Sequence, residues 1–373
     1  MTEIVLIGGG HAHLFVLEAF ARAPLPGARL TLITREAFAP YSGMLPGRVS
    51  GQYAIDGGEI DLKRLAARAG ARFVHASATT IDRGLRQVVV EGHAPVPYDL
   101  LSLDIGIVPD VAAIAGAAEH ALIVKPISTF RRKLDGLLAG LGDGRTRDLV
   151  VVGGGPAGFE LAHALRLRAD GVPAQAKGGV RVTLAAGREL LGGVPARGRR
   201  LARRSLDDAG IALVEGARAV RIDPDAVILE DGRSLGAQAA IVTTRAAAPD
   251  MLGRSGLAVD ERGFLKVRPT LQAEDDDSLF AAGDCVTLLG QHRPKAGVFA
   301  VREGPVLAEN LRRAAEGRAL RRYRAQSQYL MLLADSRGKA IALRNGLAIR
   351  SRLAFWLKDR IDRGFVDRFD DGS

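Results

Sequence analysis

Cysteine is nearly absent: Cys285 is the only one among 373 residues. One thiol can form neither an intrachain disulfide nor a Cys-x-x-Cys redox pair, which excludes a dithiol relay within the chain. Cys285 reads as a small buried residue, the alternative being a lone peroxidatic or sulfur-handling thiol. Long apolar runs are missing too. No stretch of 18 or more apolar residues occurs, so no segment is expected to span a membrane as a helix. The first apolar strand begins at Ile4, which leaves no room for a secretory signal, and a cytoplasmic location is expected. No metal site is expected. Lysine is scarce, supplying eight of the 52 basic residues, so the net charge of +10 rests on arginine. Arginines cluster at Arg197, Arg199, Arg200, Arg203 and Arg204, and again at Arg312, Arg313, Arg318, Arg321, Arg322 and Arg324. Such clusters suit a solvated surface, an anionic membrane or an anionic partner. Nucleic acid is not expected, because no aromatic stacking platform accompanies the charge.

What is abundant is glycine in particular places. Ile4-Val5-Leu6-Ile7 runs into Gly8-Gly9-Gly10-His11-Ala12-His13, and Leu149-Val150-Val151-Val152 into Gly153-Gly154-Gly155-Pro156-Ala157-Gly158-Phe159-Glu160. Each reads as a strand, a tight turn and the start of a helix. In a dinucleotide site the first glycine permits the turn and the second admits the pyrophosphate. The third lets the helix pack on the strand. The helix N-terminus then offers free N–H groups to the anion. Gly153, Gly155 and Gly158 complete the pattern. Gly8 and Gly10 do not, because His13 holds the third position, where it either lifts the helix or brings an imidazole to the cofactor. Downstream, Ser278-Leu279-Phe280-Ala281-Ala282-Gly283-Asp284 forms a strand, a small-residue turn and an acceptor. That pattern suits a carboxylate receiving a ribityl hydroxyl of FAD, the other reading of Asp284 being a helix N-cap.

Length and composition suit two or three globular domains, with 47% hydrophobic and 25% charged residues. Strands are expected at Leu30–Ile33, Phe73–Val74, Gln87–Val90 and Tyr98–Leu103. A second unit carries strands at Leu149–Val152, Arg181–Leu184 and Ile241–Thr243. The chain then returns through Phe264–Val267. The expected fold is α/β: an FAD domain from residues 1–120 and 245–315, interrupted by an NAD(P)-type domain at 146–244. Residues 316–373 form a short C-terminal segment. In it Leu353, Leu357, Ile361, Phe365 and Phe369 recur every fourth residue beside Trp356, among basic residues. This amphipathic helix either lies at a membrane interface or packs on the protein's own core. Internal packing is the expectation, with peripheral contact at the inner face of a membrane as the alternative.

On these residues the chain resembles the pyridine nucleotide-disulfide oxidoreductase superfamily over its whole length. A closer resemblance, to the flavoprotein fused to or found beside selenide,water dikinase, rests on Gly8–His13, Pro40–Gly47, Lys125-Pro126, Phe280–Asp284, Pro294–Arg302 and Trp356–Arg363. More distantly it is similar to type II NADH dehydrogenases and sulfide:quinone reductases. The resemblance implies FAD held by Gly8, Gly10 and Asp284, and NAD(P)H held by Gly153, Gly155 and Gly158. It implies a helix start at Ala296 and Gly297 facing the flavin, with Lys295 adding charge and Tyr41 to Pro46 lining the ring. Glu160 would sit near the nicotinamide, and Lys125 beside the flavin or on the surface. The acceptor would be a small molecule or quinone, with a functional link to selenophosphate synthase. Two departures stand out. Thr34 and Arg35 follow the second strand where an acid usually holds the ribose, so Glu36 serves only through a shifted turn. Arg188 follows a strand without an acid, and either takes a 2′-phosphate or marks a site that no longer binds dinucleotide.

Overall fold

Ile4-Val5-Leu6-Ile7 is buried on both faces, the pattern of a central parallel strand rather than a half-exposed one. In the computed structural model, Thr2–Ile7 lies in the middle of an eight-stranded sheet. It pairs in parallel with Ala28–Thr34 on one side and Leu100–Leu103 on the other. Arg72–His75 and Asp276–Ala281 extend the parallel part. Gln272–Ala273, Leu265–Val267 and Val286–Leu288 complete the far edge. The structure describes residues 1–54, 58–142, 147–171, 179–243 and 246–370. The expected boundary positions 146, 244 and 245, and residues 371–373, lie outside that set.

A second sheet has five parallel strands, in the order Ala121–Ile123, Ala239–Val242, Asp148–Val152, Arg181–Gly187 and Ala212–Glu215. All its strands come from the chain between the two contributions to the first sheet. Each sheet is therefore a wound α/β unit, with a glycine turn at the C-terminal end of a central strand. Helices His11–Arg22 and Pro156–Asp170 start from those turns.

The C-terminal segment ties the two units together. Antiparallel strands Met331–Ala334, Ala340–Arg344 and Leu347–Ser351 place Leu333, Ile341, Leu343 and Ala348 in the core of the second unit. Helix Arg352–Asp370 then crosses to the first unit, where Val366 and Phe369 join the other core. The fourfold repeat of apolar residues divides along this helix. Phe369 meets Phe15 edge-on at 5.2 Å, and Phe365 stacks on Tyr41 at 4.6 Å. Leu353, Trp356 and Ile361 remain exposed. The expectation of internal packing thus describes Phe365 and Phe369, and Ala354 in the first turn, but not Leu353, Trp356 and Ile361. Gly364 lies inside the continuous helix.

Phe369→Ala removes a side chain that is 2% exposed. Truncation of a buried phenylalanine costs about 3–5 kcal/mol, whereas Trp356→Ala should leave stability nearly unchanged. Denaturant unfolding of both variants checks the contrast.

Candidate functional site

The C-terminal ends of Thr2–Ile7, Ala28–Thr34 and Leu100–Leu103 open into a cavity of about 540 Å³. Its walls include Gly8, Gly9, Gly10, His11, Glu36, Asp104, Lys125, Asp284 and Gly297. Gly8, Glu36, Asp104 and Asp284 meet here because parallel strands deliver their carboxyl ends to one edge.

The first glycine turn is built around a carboxylate. Gly8 has φ +93°, and a Cβ on it would lie 2.4 Å from the Asp104 carbonyl oxygen. A Cβ on Gly10 would lie 2.2 Å from the Asp104 carboxylate itself. Asp104 Oδ2 accepts hydrogen bonds from the Ala12 and His13 N–H groups at 2.7 and 3.3 Å. Burial pushes this carboxyl up to about 7, against the pull of those two N–H groups.

His13 does not line the cavity. It is fully buried beneath the turn, with Nδ1 2.6 Å from Gly8 O and Nε2 2.9 Å from Ser102 Oγ. A carbonyl only accepts, so Nδ1 carries the proton and Nε2 receives the Ser102 hydroxyl. Burial lowers the ring to about 4, so it is neutral. Where a third glycine would let the helix close on the strand, this imidazole bridges the two. The reading of His13 as a cofactor contact is corrected accordingly.

Asp284 meets the cavity as the strand-turn pattern suggests. Its Oδ1 is buried and has no hydrogen-bond partner among the described residues. Its Oδ2 lies 3.9 Å from Lys125 Nζ. An orphaned buried acceptor beside a positive-φ glycine turn and two helix starts fits a dinucleotide with a polyhydroxyl chain. Glu36 reaches the cavity through a turn in which Thr34 Oγ1 accepts from the Glu36 N–H at 3.2 Å.

Three other expected positions lie elsewhere. Lys295 donates to Val286 O at 2.5 Å and sits 3.7 Å above the Phe264 ring, away from the cavity. Burial lowers it to about 8. Ala296 caps helix Gly297–Ala315 without lining the cavity, while Gly297 does. Pro46 lies in the short helix Leu45–Ser50, whose Leu45 and Val49 belong to the second core, and borders a separate small cleft. Cys285 is fully buried and its thiol is pushed up to about 12, so it stays protonated.

Glu160 is buried against the C-terminal segment. It accepts from the Ala334 N–H at 2.9 Å and lies 3.8 Å from Lys358 Nζ. Lys358 pairs with Asp362 at 2.7 Å and donates to Gly43 O at 3.0 Å. Burial raises the Glu160 carboxyl and Lys358 opposes the shift. The sequence reading missed Lys358 and Asp362 as partners. Their spacing of four on a helix was the available signal.

Geometry requires two of the second turn's three glycines. Gly153 has φ +128°, and a Cβ on Gly158 would lie 1.8 Å from Gly153 O. Gly155 faces open space at the start of Pro156–Asp170. Strand Arg181–Gly187 ends beside it without an acid, and Arg188 is exposed.

Comparison with known proteins agrees with this geometry. Residues 2–304 match the family described as pyridine nucleotide-disulphide oxidoreductase, and the chain belongs to it. The family uses FAD and NAD(P)H, and the chain is an oxidoreductase of this type. It is 25% identical to the NADH dehydrogenase-like protein YutJ of Bacillus subtilis over 79% of both chains. It is 24% identical to the type II NADH:quinone oxidoreductase of Haemophilus influenzae over 94% of this chain and 87% of the other. In fold it is similar to NDH2 of Plasmodium falciparum, with a TM-score of 0.84, 13% identity and coverage of 99% and 97%. It is also similar to the sulfide:quinone oxidoreductase of Aquifex aeolicus, with a TM-score of 0.83, 16% identity and coverage of 100% and 92%.

Proposed function

We propose that the first unit holds FAD in the cavity, that the second unit holds NAD(P)H, and that electrons leave directly for a small molecule or quinone. The observation that carries this reading is Asp284 Oδ1, a buried acceptor without a partner among the described residues, in the cavity beside the Gly8 turn. FAD, when bound, supplies the two-electron acceptor for a hydride from NAD(P)H. The chain's residues do the rest. The turn at Gly8–Gly10 admits the pyrophosphate, and Asp284 receives a ribityl hydroxyl. Lys125 balances the Asp284 charge, and the helix start at Gly297 offers N–H groups where negative charge develops. With Cys285 alone and buried, no thiol relay is available to this chain. The quinone acceptor is supported by the named activity of the Haemophilus relative. The link to selenophosphate synthase rests on the sequence motifs alone.

Anaerobic mixing of the flavin-loaded protein with NADH or NADPH tests the hydride step. Fast bleaching of the flavin is expected, with NADPH at least as effective as NADH, because strand Arg181–Gly187 ends without an acid and Arg188 beside it is exposed to a 2′-phosphate. Arg188→Ala should lose any NADPH preference. No bleaching with either nucleotide would favour the reading in which the second turn no longer binds dinucleotide and electrons enter from a sulfur or selenium compound.

A peripheral membrane contact is the second part of the proposal. Leu347, Ile349, Leu353 and Trp356, from one strand and the helix that follows it, are 55–70% exposed. Helix Ala196–Asp208 packs on the same hairpin, with Gly198 against Leu343 and Ala348, and exposes Arg197, Arg200 and Arg204. Exposed apolar side chains on one stretch of chain and exposed arginines on a helix packed against it suit an anionic interface. No described helix is long and apolar enough to cross a membrane. The full chain should float with anionic vesicles, and Leu353→Ser with Trp356→Ser should abolish flotation while leaving the melting temperature unchanged. Equal flotation of the variant would remove this surface from consideration.

A further inference from the structure

The helix that starts the flavin site has already spent part of its anion-binding capacity. Helix His11–Arg22 begins where a dinucleotide pyrophosphate is expected, yet two of its first N–H groups point at a carboxylate of the chain itself. Asp104 Oδ2 takes Ala12 N–H at 2.7 Å and His13 N–H at 3.3 Å. Gly10 and Gly283 hold the same carboxylate from both sides, since a Cβ on either would come within 2.5 Å of its oxygens. The other oxygen, Oδ1, makes no hydrogen bond among the described residues, and Asp104 lines the cavity. A fixed negative charge here would oppose a pyrophosphate, while a neutral acid would offer it a donor.

We propose that Asp104 is a positioning residue that holds FAD as the neutral acid: flavin binding places one proton on Asp104 Oδ1, which donates it in a hydrogen bond to a phosphate oxygen. This rests on the reading of the cavity as the FAD site. The groups around Asp104 favour the neutral form. Glu303, buried on helix Gly297–Ala315, and Asp284 both add negative charge to its surroundings. Arg293 is engaged by Glu303 at 2.9 Å and by Gly283 O at 2.7 Å, so its charge is directed there. Cys285 is a neutral thiol, and His11 and His13, both lowered to about 4, are neutral at physiological pH. Lys125 pairs with Asp284. In the free protein the Asp104 carboxyl, raised to about 7 by burial, is protonated below that pH and ionised above it. A bound pyrophosphate raises it further. The sign follows from linkage: affinity is flat below pH 7 and falls as pH rises above it.

Apoprotein titrated with FAD between pH 6 and 9 tests this directly. The Kd should be constant to about pH 7 and then rise by about tenfold per pH unit, the signature of one proton. Calorimetry in two buffers of different ionisation enthalpy should register uptake of up to one proton per FAD at pH 8. Asp104→Asn keeps a donor without a charge, so it should bind FAD with little dependence on pH and no proton uptake. A pH-independent Kd in the wild type, or the same slope in Asp104→Asn, overturns the proposal while leaving the flavin site intact. Failure of the wild type to bind FAD at any pH overturns both.

Discussion

The first unit is organised around the hydrogen bonds from the Ala12 and His13 N–H groups to Asp104. They join the start of the first helix to the end of a strand about ninety residues later in the chain. They also explain why Gly8, Gly10 and Gly283 carry no side chain, because each would collide with Asp104. His13 completes the clamp from below through Gly8 O and Ser102. An ordinary turn needs a third glycine for close packing. Here a neutral histidine supplies a bridge in its place. A buried carboxyl of this kind is costly when ionised, and this connects the packing of the turn to the chemistry of whatever anion it receives.

A second constraint lies between the units. Glu160 begins in the second unit, bonds to the C-terminal strand at Ala334, and faces Lys358 on the terminal helix. That helix then carries Tyr41, His11 and Phe15 against its own aromatic side chains. The C-terminal segment is short, but it buries part of its apolar surface in each core. Its remaining apolar residues face outward in one stretch of chain, which is why its sequence pattern suits both internal packing and a membrane interface.

Much of this was legible in the sequence where a residue's role is local. Glycine turns after apolar runs, a third glycine at Gly158 and the small-residue strand before Asp284 carry their geometry in their own neighbourhoods. The alternation of sheets followed from motif order. Positions whose role depends on distant packing were not legible. Lys295 could not be assigned to Phe264 and Val286 without knowing which side of its loop faces the core. Pro46 lies within a short helix that the second core captures. Asp104 gave no local sign, since an acid after an apolar strand is also the pattern of an exposed loop. The direction of Glu160 was hidden because its partner, Lys358, lies almost two hundred residues away.

The central claim is that the cavity at the strand ends is an FAD site completed by Asp284. Titration of apoprotein with FAD at pH 6.5, wild type beside Asp284→Ala, tests it most directly. One FAD per chain is expected. Loss of a charge-assisted hydrogen bond worth roughly 1.5–3 kcal/mol should weaken binding by about tenfold to a hundredfold in the variant. Equal affinity of the two proteins, or no binding by the wild type, would contradict the account.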